Sequence, residues 1–168
     1  MLRSTHPYLR LGGGFMYLVA LIDVHSRYVV GWTLSNSLDT DACLASLNDA
    51  LSGYGAPDII NSDQGCQFTS AAWVSALNEA DITISMTGKG RCLDNVYIER
   101  FWRSLKHEEV YLNDYDNVDE LEQAIDAYIK FYNTQRPHQS LNYKTPEAIY
   151  FAGEQRNVNQ GQLMNLVA

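Results

Sequence analysis

The stretch from Phe15 to Val24 constrains this chain more than any other feature of its sequence. Its odd positions (Phe15, Tyr17, Val19, Leu21) and its even positions (Met16, Leu18, Ala20, Ile22) are all apolar. A strand sends successive side chains to opposite faces, so this segment must be covered on both sides. The run from Phe15 to Ile22 is strand-sized, far short of the roughly 20 apolar residues of a membrane span. A strand buried on both faces belongs inside a sheet with helices above and below it.

The remaining elements fit that plan. Tyr8 to Leu11 reads as a preceding strand, turned by Gly12-Gly13-Gly14, and Arg27 to Leu34 as a following one. Thr40 to Leu51 reads as a helix capped by Asp39 and stopped by Gly53 and Gly55. A short strand around Ile59-Ile60 delivers Asp63 at its C-terminal end. Thr69 or Ser70 caps a helix through Ala80, and Ile82 to Met86 is another strand. After a loop, Thr87 to Leu93, helices are expected from Asp94 to about Glu109 and from Asn117 to about Asn133. Thr145-Pro146 opens a short helix to Phe151, and the last dozen residues read as a loose polar tail. The expected fold class is α/β, a mixed sheet with helices on both faces.

Composition narrows the class. With 168 residues, 46% of them apolar, the chain suits one domain with a real core. Nothing near Met1 has the layout of a signal peptide, so a cytoplasmic protein without a membrane association is expected. Cys43, Cys66 and Cys92 are scattered and odd in number, which argues against a disulfide framework. The four histidines are equally scattered, and no ligand spacing suggests zinc. Twenty acidic against 12 basic residues give a net charge of −8, which taken alone opposes nucleic-acid binding. The charge is segregated, however. Lys89 to Lys106 holds five basic and two acidic residues, whereas Glu108 to Asp126 holds eight acidic residues and no Lys or Arg.

Two carboxylates stand out. Asp63 ends an apolar strand in Asn61-Ser62-Asp63-Gln64-Gly65; as an isolated residue it also reads as an ordinary turn Asp. Glu99 shares a helix face with Asn95, Arg103 and Lys106; the plainer reading is a solvated face with a Glu99–Arg103 pair. A strand-end carboxylate and a helix carboxylate suit a Mg²⁺ site, because Mg²⁺ takes oxygen ligands and keeps open positions for water and phosphate oxygens. Two such ions would serve phosphodiester displacement, with a third carboxylate normally bridging them. Lys89, Arg91, Asn95, Arg103 and Lys106 are the candidate DNA-binding residues, since cations beside such a site hold phosphates.

The motifs then join into a resemblance. They are Gly14-Phe-Met-Tyr-Leu-Val-Ala-Leu-Ile-Asp-Val-His-Ser-Arg27, Val30-Gly-Trp32, Ser62-Asp-Gln-Gly65, Asp94-Asn95, Ile98-Glu-Arg-Phe-Trp102, Phe131-Tyr-Asn133, Arg136-Pro-His138 and Tyr143-Lys-Thr-Pro146. Over Tyr8 to Phe151 the chain resembles the catalytic half of two-frame bacterial insertion-sequence transposases (OrfB type), an integrase core domain of the retroviral-integrase superfamily. Thirty-five residues lie between Asp63 and Glu99, as between that family's second Asp and its Glu. The resemblance implies a ribonuclease-H-like mixed sheet and Mg²⁺-dependent (alternatively Mn²⁺-dependent) DNA cleavage and strand transfer. It further implies transposon-end and target DNA as partners, a homo-oligomer, and a bacterial cytoplasmic, nucleoid-associated location. Asp63 and Glu99 map onto catalytic, metal-binding positions.

One position departs from the family. Counted back from Gly14, the family's first Asp falls on Thr5, whose neutral hydroxyl is no substitute for a bridging carboxylate. Metal binding should be weakened accordingly. The expected organisation is a degraded or truncated first-strand segment at 1–14, a catalytic core at 15–133, and a C-terminal loop, short helix and tail at 134–168. Asp23 reads as a turn residue pairing with Arg27, and His6 suits Mg²⁺ poorly. Trp102 and Phe101 read as core, and Arg136 and His138 equally as DNA-facing groups or as a loop packed on the last helix. Three functions follow: an active transposase core, an inactive remnant that binds DNA or associates with a transposase, and a simple nuclease without end preference.

Overall fold

Strand β2, Gly14–Asp23, lies inside the sheet, and residues 18–23 are buried without a break. The computed structural model describes residues 8–11, 14–63, 65–86, 96–154 and 163–167. The other strands are β1 (Tyr8–Leu11), β3 (Val29–Ser35), β4 (Ile59–Ser62), β5 (Thr83–Met86) and β6 (Leu163–Val167). The helices are α1 (Thr40–Tyr54), α2 (Ala71–Glu79), α3 (Val96–Leu105), α4 (Val118–Thr134) and α5 (Pro146–Glu154).

The two faces of β2 build two cores. Val19 and Leu21 join Val30, Cys43, Leu47, Ile60, Phe68, Trp73 and Leu77 on the α1/α2 side. Leu18, Ala20 and Ile22 join Ile98, Phe101, Leu105, Leu121, Ile125 and Tyr132 on the α3/α4 side. Burying a side chain such as Leu18 or Ile22 is worth roughly 1.5–3 kcal/mol, so the double-faced pattern forces the three-layer arrangement. Gly31 lets α1 approach β3: a Cβ there would meet the Ser46 carbonyl oxygen at 2.7 Å.

The helix caps follow the sequence. The Asp39 carboxylate accepts from Ala42 N at 3.1 Å, Ser70 Oγ from Trp73 N at 3.2 Å, and Asn117 Oδ1 from Glu120 N at 2.9 Å. Helix α1 continues through Gly53 and ends at Gly55, whose φ of 78° suits a residue without a side chain. Beyond α3 the chain makes a π-helical turn, Lys106–Val110, where the sequence predicts one uninterrupted helix.

The sheet runs β1-β2-β6-β4-β5, with β3 on the other edge of β2. The tail was expected to be loose, yet β6 occupies the middle of the sheet. It is antiparallel to β2 (Ala20 opposite Val167, Asp23 opposite Met164) and parallel to β4 (Ile59 opposite Leu163, Ser62 opposite Leu166). It runs in the same direction as β1 along the same edge of β2. In β1, Tyr8 pairs with Tyr17. Three steps further back, that register would bring position 5 opposite Ala20, the place Val167 holds. The C-terminal strand thus fills the lane that a longer first strand would use.

Between Leu21 and Ile22 the β2–β3 register slips by one residue, leaving an extra residue on β3. Asn133 of α4 covers this bulge: its Oδ1 accepts from Val29 N and its Nδ2 donates to Val29 O, both at 2.9 Å. Replacing Asn133 by Leu leaves both buried backbone groups without these partners. The expected cost is about 2–4 kcal/mol in urea unfolding; an unchanged midpoint would show that the pair is dispensable.

Candidate active site

Asp63 follows β4 directly, at the carboxyl edge of the sheet where α/β proteins place their sites. It is half-buried; Oδ1 accepts from Gly65 N at 2.8 Å, whereas Oδ2 is buried without a hydrogen-bond partner among the described residues. A buried carboxylate oxygen without a donor is costly, and a cation would satisfy it. Glu99 stands in the first turn of α3, exposed, on the rim of a groove of about 320 Å³ that is also lined by Trp102, Arg103, Lys106 and His107. Burial lowers the Lys106 ammonium from its ordinary value.

The structure therefore brings Glu99, Arg103 and Lys106 into one groove, while Asp63 is not part of its lining. Strand β6 is what the two carboxylates' elements share: it pairs with β4 and packs against α3. Among the described residues, no three His, Cys, Asp or Glu side chains cluster to hold an ion. Thr5, Lys89, Arg91 and Asn95 lie outside the described residues. The Glu99–Arg103 ion pair does not form among them. Trp102 and Phe101 are core, as expected.

Asp23 is the turn residue the sequence predicts, but its carboxylate forms no ion pair with the Arg27 guanidinium among the described residues. Its carboxylate accepts from Ser26 N at 2.8 Å and from Ser26 Oγ, closing the turn, while the Arg27 guanidinium lies over the Tyr97 ring, 3.4 Å from its centroid. Arg136 and His138 end up beside Arg27 in a second pocket of about 530 Å³. Outside the pocket lining, the Glu108 carboxylate accepts from Arg136 Nε at 2.9 Å and from Tyr128 Oη at 2.8 Å. The Arg136 hydrogen bond holds Glu108 below the usual carboxylate range. No local pattern joins Arg27 to Arg136, which meet in one pocket where α3 and α4 share a core on one face of the sheet.

Comparison with known proteins agrees with this architecture. Two models of the integrase core domain match, one over residues 5–92 and one over residues 80–146. The transposase for insertion sequence element IS904 of Lactococcus lactis is 35% identical over 144 residues, covering 83% of this chain and 56% of that protein. The putative transposase InsK for IS150 of Escherichia coli is 33% identical over 138 residues, covering 81% of this chain and 49% of that protein. The chain thus spans about half the length of these relatives. The HTLV-2 integrase catalytic core domain in complex with magnesium superposes with a TM-score of 0.68 at 20% identity, covering 86% of this chain and 91% of that one, a likeness of fold. With helices on both faces of a mixed sheet, an Asp at a strand end, and matches running from residue 5 to residue 146, the chain belongs to the integrase core domain family and is similar to part of these insertion-sequence transposases.

Proposed function

We propose that the chain is the catalytic core for metal-dependent cleavage and transfer of transposon-end DNA, with Asp63 and Glu99 as its metal-binding carboxylates. The single observation that carries this reading is the unpartnered, buried Oδ2 of Asp63 at the end of β4. Mg²⁺, or Mn²⁺ in its place, would polarise the phosphodiester and lower the pKa of an attacking water. Arg103 and Lys106 line the groove beside Glu99 and supply cations for DNA phosphates, with Lys89, Arg91 and Asn95 in the segment leading to α3. DNA is the partner, and a homo-oligomer the working form; the HTLV-2 core itself is described in a dimeric and a trimeric form. No described helix is long and apolar enough to cross a membrane, in keeping with a cytoplasmic, nucleoid-associated role.

The second reading is an inactive remnant that still binds DNA or associates with a transposase. It rests on the resemblance, which maps the family's first Asp onto Thr5, and on Val167 holding the place opposite Ala20. Two carboxylates without the third should bind one ion weakly rather than two tightly. A Mn²⁺ titration by calorimetry tests the shared-ion assignment. We expect weak binding of a single ion, weakened at least tenfold by Asp63→Asn and by Glu99→Gln. Binding indifferent to both changes would end the assignment, and tight two-ion binding would end the claim of impairment.

A further inference from the structure

The larger pocket carries chemistry that the acidic site does not use. Of the 12 basic residues in this acidic chain, Arg27, Arg100, Arg103 and Arg136 line this one pocket, and no carboxylate among the described residues lines it. Only Arg136 has a carboxylate partner among the described residues, namely Glu108. Three guanidiniums facing one cavity repel one another, and an anion is what would turn that repulsion into attraction.

Two buried nitrogens there are unspent. Arg27 Nη1, a donor, and His138 Nε2 are buried without hydrogen-bond partners among the described residues. Arg27 also adopts a left-handed backbone conformation, φ 67°, which Gly or Asn would take at less cost. The turn holds it there: Arg27 N donates to Asp23 O, and Asp23 N donates to Tyr28 O, both at 2.8 Å. Stacking on Tyr97 fixes the guanidinium against α3.

We infer that this pocket is a phosphate-binding site for a DNA backbone, with Arg27, Arg100 and Arg103 as its anion-binding groups and His138 as a further donor. Arg103 lines both this pocket and the groove of Glu99, so one strand crossing α3 would engage the two in succession. The choice of DNA over free phosphate rests on the transposase reading; the anion chemistry does not. The groups facing His138 are Arg136 and Arg27, which disfavour its protonation, Glu108, which favours it, and the Tyr132 ring at 4.8 Å. Burial and the two arginines push the imidazole down to about 4, so it is neutral at pH 7 and can donate from Nε2 only as that tautomer or once protonated. An incoming phosphate stabilises the imidazolium, so binding and protonation reinforce each other.

The experiment follows the His138 ring protons by NMR in the full chain, with chelator present so that no metal takes part. Inorganic phosphate and a short single-stranded oligodeoxynucleotide are the two probes. Both are expected to raise the His138 titration midpoint from about 4 toward the ordinary 6.5. Arg100→Glu, an exposed change whose fold the same spectrum verifies, should weaken oligonucleotide binding at least tenfold. Movement with phosphate alone would overturn the DNA assignment in favour of a free oxyanion. No movement with either probe would overturn the site, whatever becomes of Asp63 and Glu99.

Discussion

A chain ended after Glu154 should lose its cooperative unfolding transition. Among the described residues, strands β4 and β5 reach the rest of the sheet only through β6, which pairs with β2 on one side and β4 on the other. Four residue pairs on each side would be lost together. The edges of β2 and β4 they leave behind are largely buried: Ala20, Leu21, Ile22, Ile60, Asn61 and Ser62 all lie inside. At about 0.5–1.5 kcal/mol per net hydrogen bond, and more for each buried group left unpaired, the loss reaches roughly 5 kcal/mol or more. That is comparable to the whole stability of an ordinary domain, about 5–15 kcal/mol. Leu166→Pro tests the same point at full length, since proline donates no ladder bond. Near-UV circular dichroism during urea unfolding reads both; a shortened chain that keeps the full-length midpoint would show that β6 is an accessory to the sheet.

This strand is also where sequence reasoning failed, for a physical reason. Leu163-Met164-Asn165-Leu166-Val167 is apolar enough to be a strand, but it is short and follows a polar stretch. Whether such a segment pairs depends on a vacant lane elsewhere in the molecule, which no local pattern reports. The features set by local chemistry were legible. Strand β2 announced its two covered faces, and Asp39, Ser70 and Asn117 cap as their side chains require. The end of α3 was not legible, because the π-helical turn Lys106–Val110 belongs to a tertiary arrangement in which Glu108 meets Arg136 and Tyr128. Of the site, Glu99, Arg103 and Lys106 share a groove as their helical spacing implies. The arginine pocket stayed hidden, since Arg27 lies in a strand turn and Arg136 beyond α4.

The largest gain in activity should come from one carboxylate placed opposite Ala20. Residues paired across a sheet share a face, and Ala20 belongs to the face that α3, the helix of Glu99, helps to cover. One step past the Ser62–Leu166 pair, the same lane draws level with Asp63. Position 167 is thus level with both Ala20 and Asp63, and the proposed metal site would want its bridging ligand in this lane. Two positions compete for that role: Thr5 by sequence and Val167 by register. If β6 keeps the lane, Val167→Asp should raise Mn²⁺-dependent nicking of transposon-end DNA by roughly 10²–10³-fold, the scale of one preorganised electrostatic contact at a reacting group. Thr5→Asp should then do little, and adding Glu99→Gln to Val167→Asp should abolish the gain. If instead Thr5→Asp is the variant that nicks, the upstream segment displaces β6 in the working protein. Should neither variant exceed the unaltered chain, a missing third carboxylate is not what limits it, and the metal chemistry assigned to Asp63 and Glu99 falls with that result.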